Sequence, residues 1–339
     1  MQEKEKYDLN DYNYELPKEF IAQEQAKPRT HSKLMVVKEN GNIVHDRFYN
    51  IINYLQKDDV LVINDSKVIK AKLTGKKETS GKIELLMENN DTCMVKGKVS
   101  IGTKIIFEKG IVGEITEKNG ADCKIKFNKP TDEVIKEIGQ LPLPPYIKKK
   151  IKSDSEYQTV YSKKEGSLAA PTAGLHFDDE LLKKIEQKGI KIARICLHVS
   201  FSTFLPIREA DFTKHKMHAE SFEITKESAD LINKRKGRLF VVGTTSLRAL
   251  ETAADKNGII PAGKSSSEIF IYPGYKFKNK IDGMITNFHL PKSTLLLLVS
   301  ALFGKEKIFK AYEEAKKNNY RFFSLGDSML LLNENSQPQ

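Results

Sequence analysis

Histidines gather in a few segments of the chain where they could transfer protons or bind an anion. Five of the seven histidines lie in or near three loops: His176, His198, His215, His218 and His289. Imidazole titrates near neutral pH, and it is also a common metal ligand. We expect no metal, because Lys214–His218 lacks a second ligand pair at zinc spacing and its two lysines would repel a cation. The pattern therefore favours acid–base or phosphate chemistry.

Three segments place small, hydroxylated or basic residues where a predicted strand leads into a predicted helix. They are Ala169–Phe177, Gly243–Arg248 and Asn287–Thr294. Ligands of open α/β sheets bind at such carboxyl ends of strands. Exposed N–H groups and hydroxyls in Gly243–Arg248 suit an anion or ribose hydroxyls, although a glycine turn with a serine N-cap explains that segment equally well. Pro291 and Ser293 are natural helix-start residues, but a helix start does not require His289 and Lys292 beside it.

A fourth segment, Gly258–Ser265, matches the phosphate-binding pattern GxxxxGK[ST] in the wrong context. That pattern binds phosphates only when a strand precedes it and a helix follows, so that N–H groups converge on the ligand. Here a predicted helix precedes it and a predicted strand follows. Gly258 is expected to end that helix, and Pro261 has no N–H to offer. We predict no nucleotide site there.

The elements that must position these loops alternate between strands and helices. Predicted strands are Ser32–Val37, Val60–Ile63, Lys191–Val199, Leu239–Val242, Glu268–Tyr272 and Met284–Phe288. Predicted helices are Arg47–Leu55, one from its cap Asp178 to Gly189, one from its cap Thr225 to Gly237, Ser246–Lys256, Ser293–Phe303 and Glu306–Lys317. This alternation predicts an α/β main domain with a mixed sheet and covering helices.

A segment with a different sequence pattern interrupts that domain near its N-terminal end. Six short strand-like runs follow one another without a helix: Lys67–Leu73, Gly81–Met87, Thr92–Lys98, Thr103–Phe107, Ile111–Ile115 and Ala121–Phe127. Such a series predicts a small all-β barrel. A short helix over Asp132–Ile138 and a proline-rich segment then lead out. We expect the barrel domain to span residues 67–150, inserted into an α/β domain made of residues 1–66 and 151–339.

Composition limits the class of protein. The 339 residues are 39% hydrophobic and 30% charged, as in soluble folded proteins. The longest apolar stretch, Leu295–Phe303, is half the length that a membrane span needs, and the charged N-terminus indicates no signal peptide. Three scattered cysteines without CxxC spacing argue against disulfides and a zinc ribbon. We expect a cytoplasmic protein.

The net charge of +11 favours a polyanionic partner. Local basic runs add to this expectation, although each could equally be a solvated face. They are Lys148–Lys152, Lys214–Lys216 and Lys234–Lys236.

Eight segments, in order along nearly the whole chain, resemble the S-adenosylmethionine:tRNA ribosyltransferase-isomerase family of the queuosine pathway. They are Asn64–Ile69, Pro142–Ile147, Tyr157–Tyr161, Ala170–Phe177, Gly243–Arg248, Phe270–Tyr275, Thr286–Thr294 and Tyr320–Ser324. Any one could arise by chance, but eight in order are highly specific. The chain departs from the family at Ser200 and Ser202, where glycine is usual. A Cβ there restricts the loop backbone, and we expect the activity to survive it.

The resemblance implies a specific reaction. S-adenosylmethionine is the ribosyl donor, and the acceptor is 7-aminomethyl-7-deazaguanine at the wobble position of a tRNA with a GUN anticodon. The ribosyl group rearranges to an epoxycyclopentanediol, which gives epoxyqueuosine-tRNA and releases adenine and methionine. The resemblance implies no prosthetic group, and we expect a monomer without membrane contact. The family fold, an α/β domain with an inserted β-barrel, agrees with the predicted elements.

The residue types fit that chemistry. A sulfonium acidifies the neighbouring 5′ carbon, so a base can start the rearrangement, and a proton donor helps adenine to leave. The candidates for proton transfer are His176, His218, Glu220 and His289. The candidates for ligand binding are Thr172, Gly174, Thr244, Thr245, Arg248 and Lys292. Of these, Arg248 and Lys292 suit the methionine carboxylate or a phosphate.

Two other classes of protein are alternatives. An S-adenosylmethionine-dependent RNA methyltransferase would normally carry a glycine-rich GxGxG loop after its first parallel strand, and the sequence has none. A non-catalytic RNA-binding protein could use the barrel alone. Such a binder would not need the histidine-bearing loops at the strand ends of the other domain.

Overall fold

A computed structural model describes residues 7–204 and 206–333, without the side chains of Ser202 and Phe204. The chain divides into two compact units, one made of Met1–Lys67 and Pro144–Gln339 and the other of Val68–Leu143. The smaller unit is the inserted one. It ends at Leu143, so the proline-rich segment from Pro144 onwards belongs to the larger unit instead of the barrel.

Strands and α-helices of the described residues are numbered here in chain order. The strands are β1 (Lys33–Lys38), β2 (Ile43–Arg47), β3 (Val60–Asn64), β4 (Ser66–Val68), β5 (Lys72–Lys77), β6 (Lys82–Met87), β7 (Thr92–Lys96), β8 (Lys104–Ile106), β9 (Val112–Asn119), β10 (Asp122–Phe127), β11 (Lys164–Ser167), β12 (Lys191–Leu197), β13 (Glu220–Ile224), β14 (Leu239–Val242), β15 (Gly263–Ser267), β16 (Gly283–Asn287) and β17 (Ser328–Leu332). The helices are α1 (Thr131–Ile138), α2 (Asp179–Gln187), α3 (Lys226–Asn233), α4 (Thr244–Ala253), α5 (Thr294–Phe303) and α6 (Lys305–Lys317).

The larger unit is built on a nine-stranded mixed sheet. Its strand order is β15-β13-β12-β3-β14-β16-β17-β1-β2. The four strands β12, β3, β14 and β16 run parallel, whereas β17 is antiparallel to β16 and parallel to β1. Alternate residues of β3 enter apolar cores on opposite faces, Val60 and Val62 on one face and Leu61 and Ile63 on the other. A sheet covered on both faces explains why its central strands are continuously apolar. The predicted α/β class with a mixed sheet is confirmed.

Helix ends follow the predicted capping chemistry. The Asp178 carboxylate accepts a hydrogen bond from the Leu181 N–H, and the Thr225 hydroxyl accepts one from Ser228 N–H, so both predicted caps are confirmed. Ser293 caps α5 in the same way through the Leu296 N–H. Helix α5 is apolar on nearly all sides and is therefore almost wholly buried.

Several local predictions were wrong, including the helix end at Gly237, since α3 ends at Asn233. Arg47–Leu55 contains a 3-10 helix over Phe48–Tyr54 in place of an α-helix. No strand forms over Glu268–Tyr272, whose apolar residues pack onto the core. The serine-rich β15 forms before it, paired with β13 at the sheet edge. The first barrel strand begins at Lys72, whereas Lys67 was predicted. Helix α4 ends at Ala253, so Gly258 (φ 78°) does not end the helix and lies in a later turn. Strands β2, β11, β13, β15 and β17 were not predicted.

The segment with the P-loop pattern has no phosphate-binding geometry. Lys264 and Ser265 lie within β15, where both are exposed, and no helix follows them. The context on which the rejection of a nucleotide site rests, a strand in place of a helix at the end of the segment, is therefore observed.

The smaller unit is a closed antiparallel barrel with the strand order β10-β7-β6-β5-β8-β9. Alternating apolar residues such as Leu73, Ile83 and Ile125 fill its interior. Gly75 is required on β5, because a Cβ there would lie 2.8 Å from side-chain atoms of Ile105 and Phe107. The predicted six-stranded barrel is confirmed. Among the described residues, no helix is long and apolar enough to span a bilayer.

Candidate active site

A cleft opens at the carboxyl ends of β14 and β16, beside the 3-10 helix Thr172–His176. All three segments that the sequence singled out contribute to its wall. Its lining comprises Tyr146, Ala170, Pro171, Thr172, Ala173, Val199, Thr203, Gly243, Thr244, Thr245, Thr286, Asn287, Phe288, His289, Leu290, Ser293, Leu295, Phe323 and Ser324. The loops converge because parallel strands end at one edge of the sheet.

The turn from β14 into α4 brings backbone and hydroxyl groups to the cleft. Gly243 adopts a φ of 86°, which favours glycine, and its N–H donates to the Ile285 carbonyl at 2.8 Å. Thr244 and Thr245 follow as the first residues of α4, whose N-terminal N–H groups attract anions. The buried Thr245 Oγ1 has no hydrogen-bond partner among the described residues. An unsatisfied buried hydroxyl costs about 1–3 kcal/mol, so this group is suited to a ligand.

A buried hydrogen-bond chain fixes the other wall of the cleft. Thr172 Oγ1 donates to Asn287 Oδ1 at 3.0 Å, and Asn287 Nδ2 lies 3.2 Å from His176 Nε2. His176 Nδ1 in turn lies 2.8 Å from Ser32 Oγ. Nε2 must accept from the amide, so the network assigns the proton to Nδ1. Burial lowers the pKa of His176 to about 4, which keeps the imidazole neutral. His176 does not line the cleft; it orients Asn287, which orients Thr172.

His289 is the sequence-predicted histidine that lines the cleft. Its Nε2 lies 2.8 Å from Thr286 Oγ1, and its backbone N–H donates to the Tyr312 hydroxyl at 2.8 Å. The hydrogen bond of the ring among the described residues is made at Nε2, so Nδ1 is available to a ligand. Burial lowers the pKa of His289 to about 3. The expectation that this residue titrates near neutral pH was therefore wrong, because desolvation disfavours the imidazolium.

A buried ion pair supports a third wall. The Arg248 guanidinium binds the Glu220 carboxylate, and their side chains are 3% and 2% exposed. Glu220 Oε1 also accepts hydrogen bonds from the Ser200 N–H at 2.7 Å and the Thr203 hydroxyl at 3.2 Å. Thr203 lines the cleft, whereas Glu220 and Arg248 do not. The pair therefore positions the loop at Ser200–Thr203. The second residue that departs from the family glycines, Ser202, has a side chain outside the described residues.

The remaining sequence-predicted residues lie away from the cleft lining. Gly174 is required because a Cβ there would lie 2.0 Å from the Tyr161 hydroxyl, so its small size serves packing. His218 is exposed on the loop before β13. Lys292 has a φ of 56°, and its ammonium donates to Asn10 Oδ1 at 2.7 Å.

Several lining residues were not identified from the sequence. Asn287, Thr203, Tyr146 and Ser324 are the polar ones that hydrogen bonds fix in place, the Tyr146 hydroxyl lying 2.6 Å from Ser324 Oγ. Three of the four lie in segments that carry the family resemblance, which was the available signal. In the described part of the chain, no group of three or more His, Cys, Asp or Glu side chains is arranged to hold a metal ion.

The chain is therefore a two-unit α/β protein. Its mixed sheet carries a polar cleft, lined by loops, at the strand ends, and a six-stranded barrel is inserted in the same chain. The chain belongs to the queuosine biosynthesis family, because the family model described as "Queuosine biosynthesis protein" matches residues 9–331.

Two similar proteins share one name. A protein of Thermoanaerobacter sp. (strain X514), named S-adenosylmethionine:tRNA ribosyltransferase-isomerase, is 49% identical over 95% of this chain and 99% of its own length. A Fusobacterium nucleatum protein of the same name is 46% identical over 95% of this chain and 96% of its length. The crystal structure of S-adenosylmethionine tRNA ribosyltransferase from Thermotoga maritima is similar, with a TM-score of 0.55 and 33% identity over 95% of this chain and 100% of that chain.

Proposed function

We propose that this chain is an S-adenosylmethionine:tRNA ribosyltransferase-isomerase. It transfers the ribosyl part of S-adenosylmethionine to 7-aminomethyl-7-deazaguanine at the wobble position of a GUN-anticodon tRNA, and the product is epoxyqueuosine-tRNA. The observation that carries this proposal is the convergence of segments Ala170–Phe177, Gly243–Arg248 and Thr286–Thr294 on one cleft. These segments carry the resemblance to the family, and they are far apart in the sequence.

The cleft suits a polar, hydroxyl-rich donor. Thr172, Thr244 and Thr245 offer hydroxyls, and the N-terminus of α4 offers N–H groups. Such groups bind ribose hydroxyls and a carboxylate, both of which S-adenosylmethionine carries. Apolar neighbours including Val199, Phe288 and Leu295 exclude water from the bound donor, which strengthens each polar contact. Arg248 supports this wall through Glu220 rather than through direct contact.

His289 is the residue that we assign to contact with the reacting groups. Its imidazole is neutral and can accept a hydrogen bond or a proton, but a pKa of about 3 makes it a weaker base than a histidine that titrates near neutral pH. The proton at the 5′ carbon next to the sulfonium is the acidic one, and its removal starts the rearrangement. His176 and Glu220 are positioning residues in this account, because each acts through Asn287 or Thr203.

Product identity tests the proposal against the methyltransferase alternative. The protein is incubated with S-adenosylmethionine and precursor-bearing tRNA, and the small products are separated by mass. We expect adenine and methionine in equal amounts, in proportion to the tRNA that is modified. Formation of S-adenosylhomocysteine would contradict the proposal and favour methyl transfer. Binding of tRNA without any turnover would favour the non-catalytic alternative.

A further inference from the structure

A lysine-rich segment lies directly beside the cleft. The exposed residues Lys148, Lys149, Lys150 and Lys152 follow the buried Ile147, which anchors them. Tyr146, two residues before Lys148, lines the cleft and shares a hydrogen bond with Ser324, another lining residue. Leu325 then lines a second depression, together with Lys149, Lys150 and Lys152. The two depressions are therefore neighbours along the surface of one compact unit.

The backbone of this segment is held in place. The Gln23 side chain donates to the Tyr146 carbonyl at 3.0 Å and accepts from the Lys148 N–H at 2.8 Å. The Lys152 N–H donates to the Glu156 carboxylate at 3.0 Å. The lysines therefore extend from a fixed backbone at a fixed place next to the cleft, unlike lysines on an unsupported loop.

Positive charge exceeds negative charge on this surface. Two carboxylates approach it: Glu24 pairs with Lys149 at 2.5 Å and Glu156 pairs with Lys27 at 3.1 Å. Among the described residues, the ammonium groups of Lys150 and Lys152 form no ion pair. Lysine is a compact charge that binds phosphate oxygens and displaces counterions when it does so.

The other two basic runs of the sequence are less suitable. Lys234–Lys236 precedes β14 and therefore lies at the edge of the sheet opposite the cleft. Lys214–Lys216 lies in the loop that joins β12 to β13, but two of its members already pair with acids. Lys214 lies 3.6 Å from Asp211, and His215 lies 3.3 Å from Glu209.

We propose that the surface formed by Lys148, Lys149, Lys150 and Lys152 binds phosphates of the RNA whose reacting base enters the cleft. This inference rests on the proposed function, because it requires an RNA substrate in the cleft. The lysine surface lies beside Tyr146 and Ser324, which line the cleft. One RNA strand can therefore contact the lysines and the cleft at the same time. The surface contributes to the affinity for the RNA and fixes the position of the RNA relative to the cleft. It takes no part in the chemistry.

Two triple variants with equal charge change test this surface. The test variant is Lys148→Gln, Lys150→Gln and Lys152→Gln, and its control is Lys234→Gln, Lys236→Gln and Lys256→Gln. The control lysines are exposed and lie on the opposite edge, because α4 begins at the cleft and runs away from it. The dissociation constant for tRNA is measured between about 50 and 200 mM salt, the range over which phosphate contacts change affinity strongly.

We expect the test variant to lower the slope of log affinity against log salt by about 2, since each phosphate contact contributes roughly 0.7–0.9. The control should keep the wild-type slope, and both variants should bind S-adenosylmethionine as the wild type does. Equal slopes for the two variants would overturn the inference. Preferential binding to anionic lipid vesicles, lost in the test variant alone, would also overturn it in favour of a membrane partner.

The surface and the function can fail separately. If wild-type protein releases adenine and methionine while the test variant keeps its full salt slope, only the surface assignment is wrong. If no adenine forms but the test variant alone has a lower salt slope, the proposed reaction is wrong, and the lysines bind RNA without a reacting base in the cleft. Should the triple variant fold poorly, Lys150→Gln replaces it, with an expected fall in slope of about 0.7.

Discussion

At the scale of single residues, the structure separates two buried histidines that look alike in the sequence. Both imidazoles are neutral, because burial lowers the pKa of His176 to about 4 and that of His289 to about 3. Only His289 lines the cleft. His176 is enclosed by Phe48, Asn287 and Ser32, so it affects the cleft only through the groups that it orients.

We predict that His289→Gln lowers turnover by about 10²-fold or more, the range expected when a group that transfers a proton is removed. The fold should remain, since glutamine can still bond to Thr286. The matched control is His218→Gln, an exposed histidine outside the cleft, which should keep turnover within a few-fold. Turnover and melting temperature are measured for both variants. A loss of less than about tenfold for His289→Gln would remove the residue from the chemistry.

Acid should destabilise the fold through these histidines. A histidine whose folded pKa is below its value of 6.5 in the unfolded chain is protonated first in the unfolded state. Its stabilising contribution is complete above about pH 6.5 and is lost as the pH falls towards about 4. We expect His176→Gln to lose less unfolding free energy than the wild type between pH 7 and pH 4. The control His31→Gln, which changes an exposed residue, should follow the wild-type curve.

The residues of the cleft were only partly predictable from the sequence. Thr172, Thr244, Thr245 and His289 were found because strand-to-helix transitions mark ligand sites locally. The contact between His176 and Asn287 was not predicted, since 111 residues separate them and only the folded sheet brings them together. The low pKa of His289 depends on its burial in the folded chain, which no local pattern reveals.

At the scale of elements, the ion pair between β13 and α4 holds the loop that closes one wall of the cleft. Glu220 is the first residue of β13, and Arg248 lies in the second turn of α4. Their pair is buried, so each charge depends on the other. The pair fixes the position of Thr203, whose hydroxyl donates a hydrogen bond to the Glu220 carboxylate.

We predict that Glu220→Gln destabilises the protein by about 3–5 kcal/mol, because it leaves the buried Arg248 charge without its counter-ion. The control is Glu223→Gln on the same strand, where the carboxylate pairs with Lys164 at 2.9 Å and both side chains are about one-third exposed. That change should cost at most about 1 kcal/mol. Urea unfolding measures both. Similar costs for the two variants would show that the buried pair contributes no more than a surface pair.

The segment with the P-loop pattern gives a prediction of no effect. Lys264 is exposed on the edge strand β15, far from any helix N-terminus in sequence order. Lys264→Ala should therefore keep turnover within a few-fold. ATP hydrolysis that is present in the wild type and abolished by this change would contradict our rejection of the motif.

Elements were predictable where local chemistry determines them. Asp178 and Thr225 fixed helix starts, and β14 was predicted with its observed bounds. Strands β13, β15 and β17 were missed. The polar, exposed β15 forms a strand by pairing with β13 at the edge of the sheet. Strand β17 pairs with β16 and with β1, and β1 lies in a distant part of the chain. Pairing of this kind depends on tertiary structure, which a local pattern does not contain.

At the scale of the whole molecule, the chain combines a cleft in its α/β unit with a separate closed barrel and a net charge of +11. The architecture could be predicted because the sequence pattern changes sharply at the barrel, from alternating strands and helices to short strands without a helix. The polyanion partner is an inference from charge and family membership. In the proposed reaction, the ribosyl group of S-adenosylmethionine, and not its methyl group, enters the RNA.

Position-specific labelling tests that claim most directly. The protein is incubated with precursor-bearing tRNA and S-adenosylmethionine that is labelled either in the ribose or in the methyl group, and the label in the tRNA is counted. We expect ribose label to enter the tRNA in a one-to-one ratio with released adenine, while methyl label stays with methionine. Methyl label in the tRNA, with adenine still attached to the labelled ribose in solution, would contradict it.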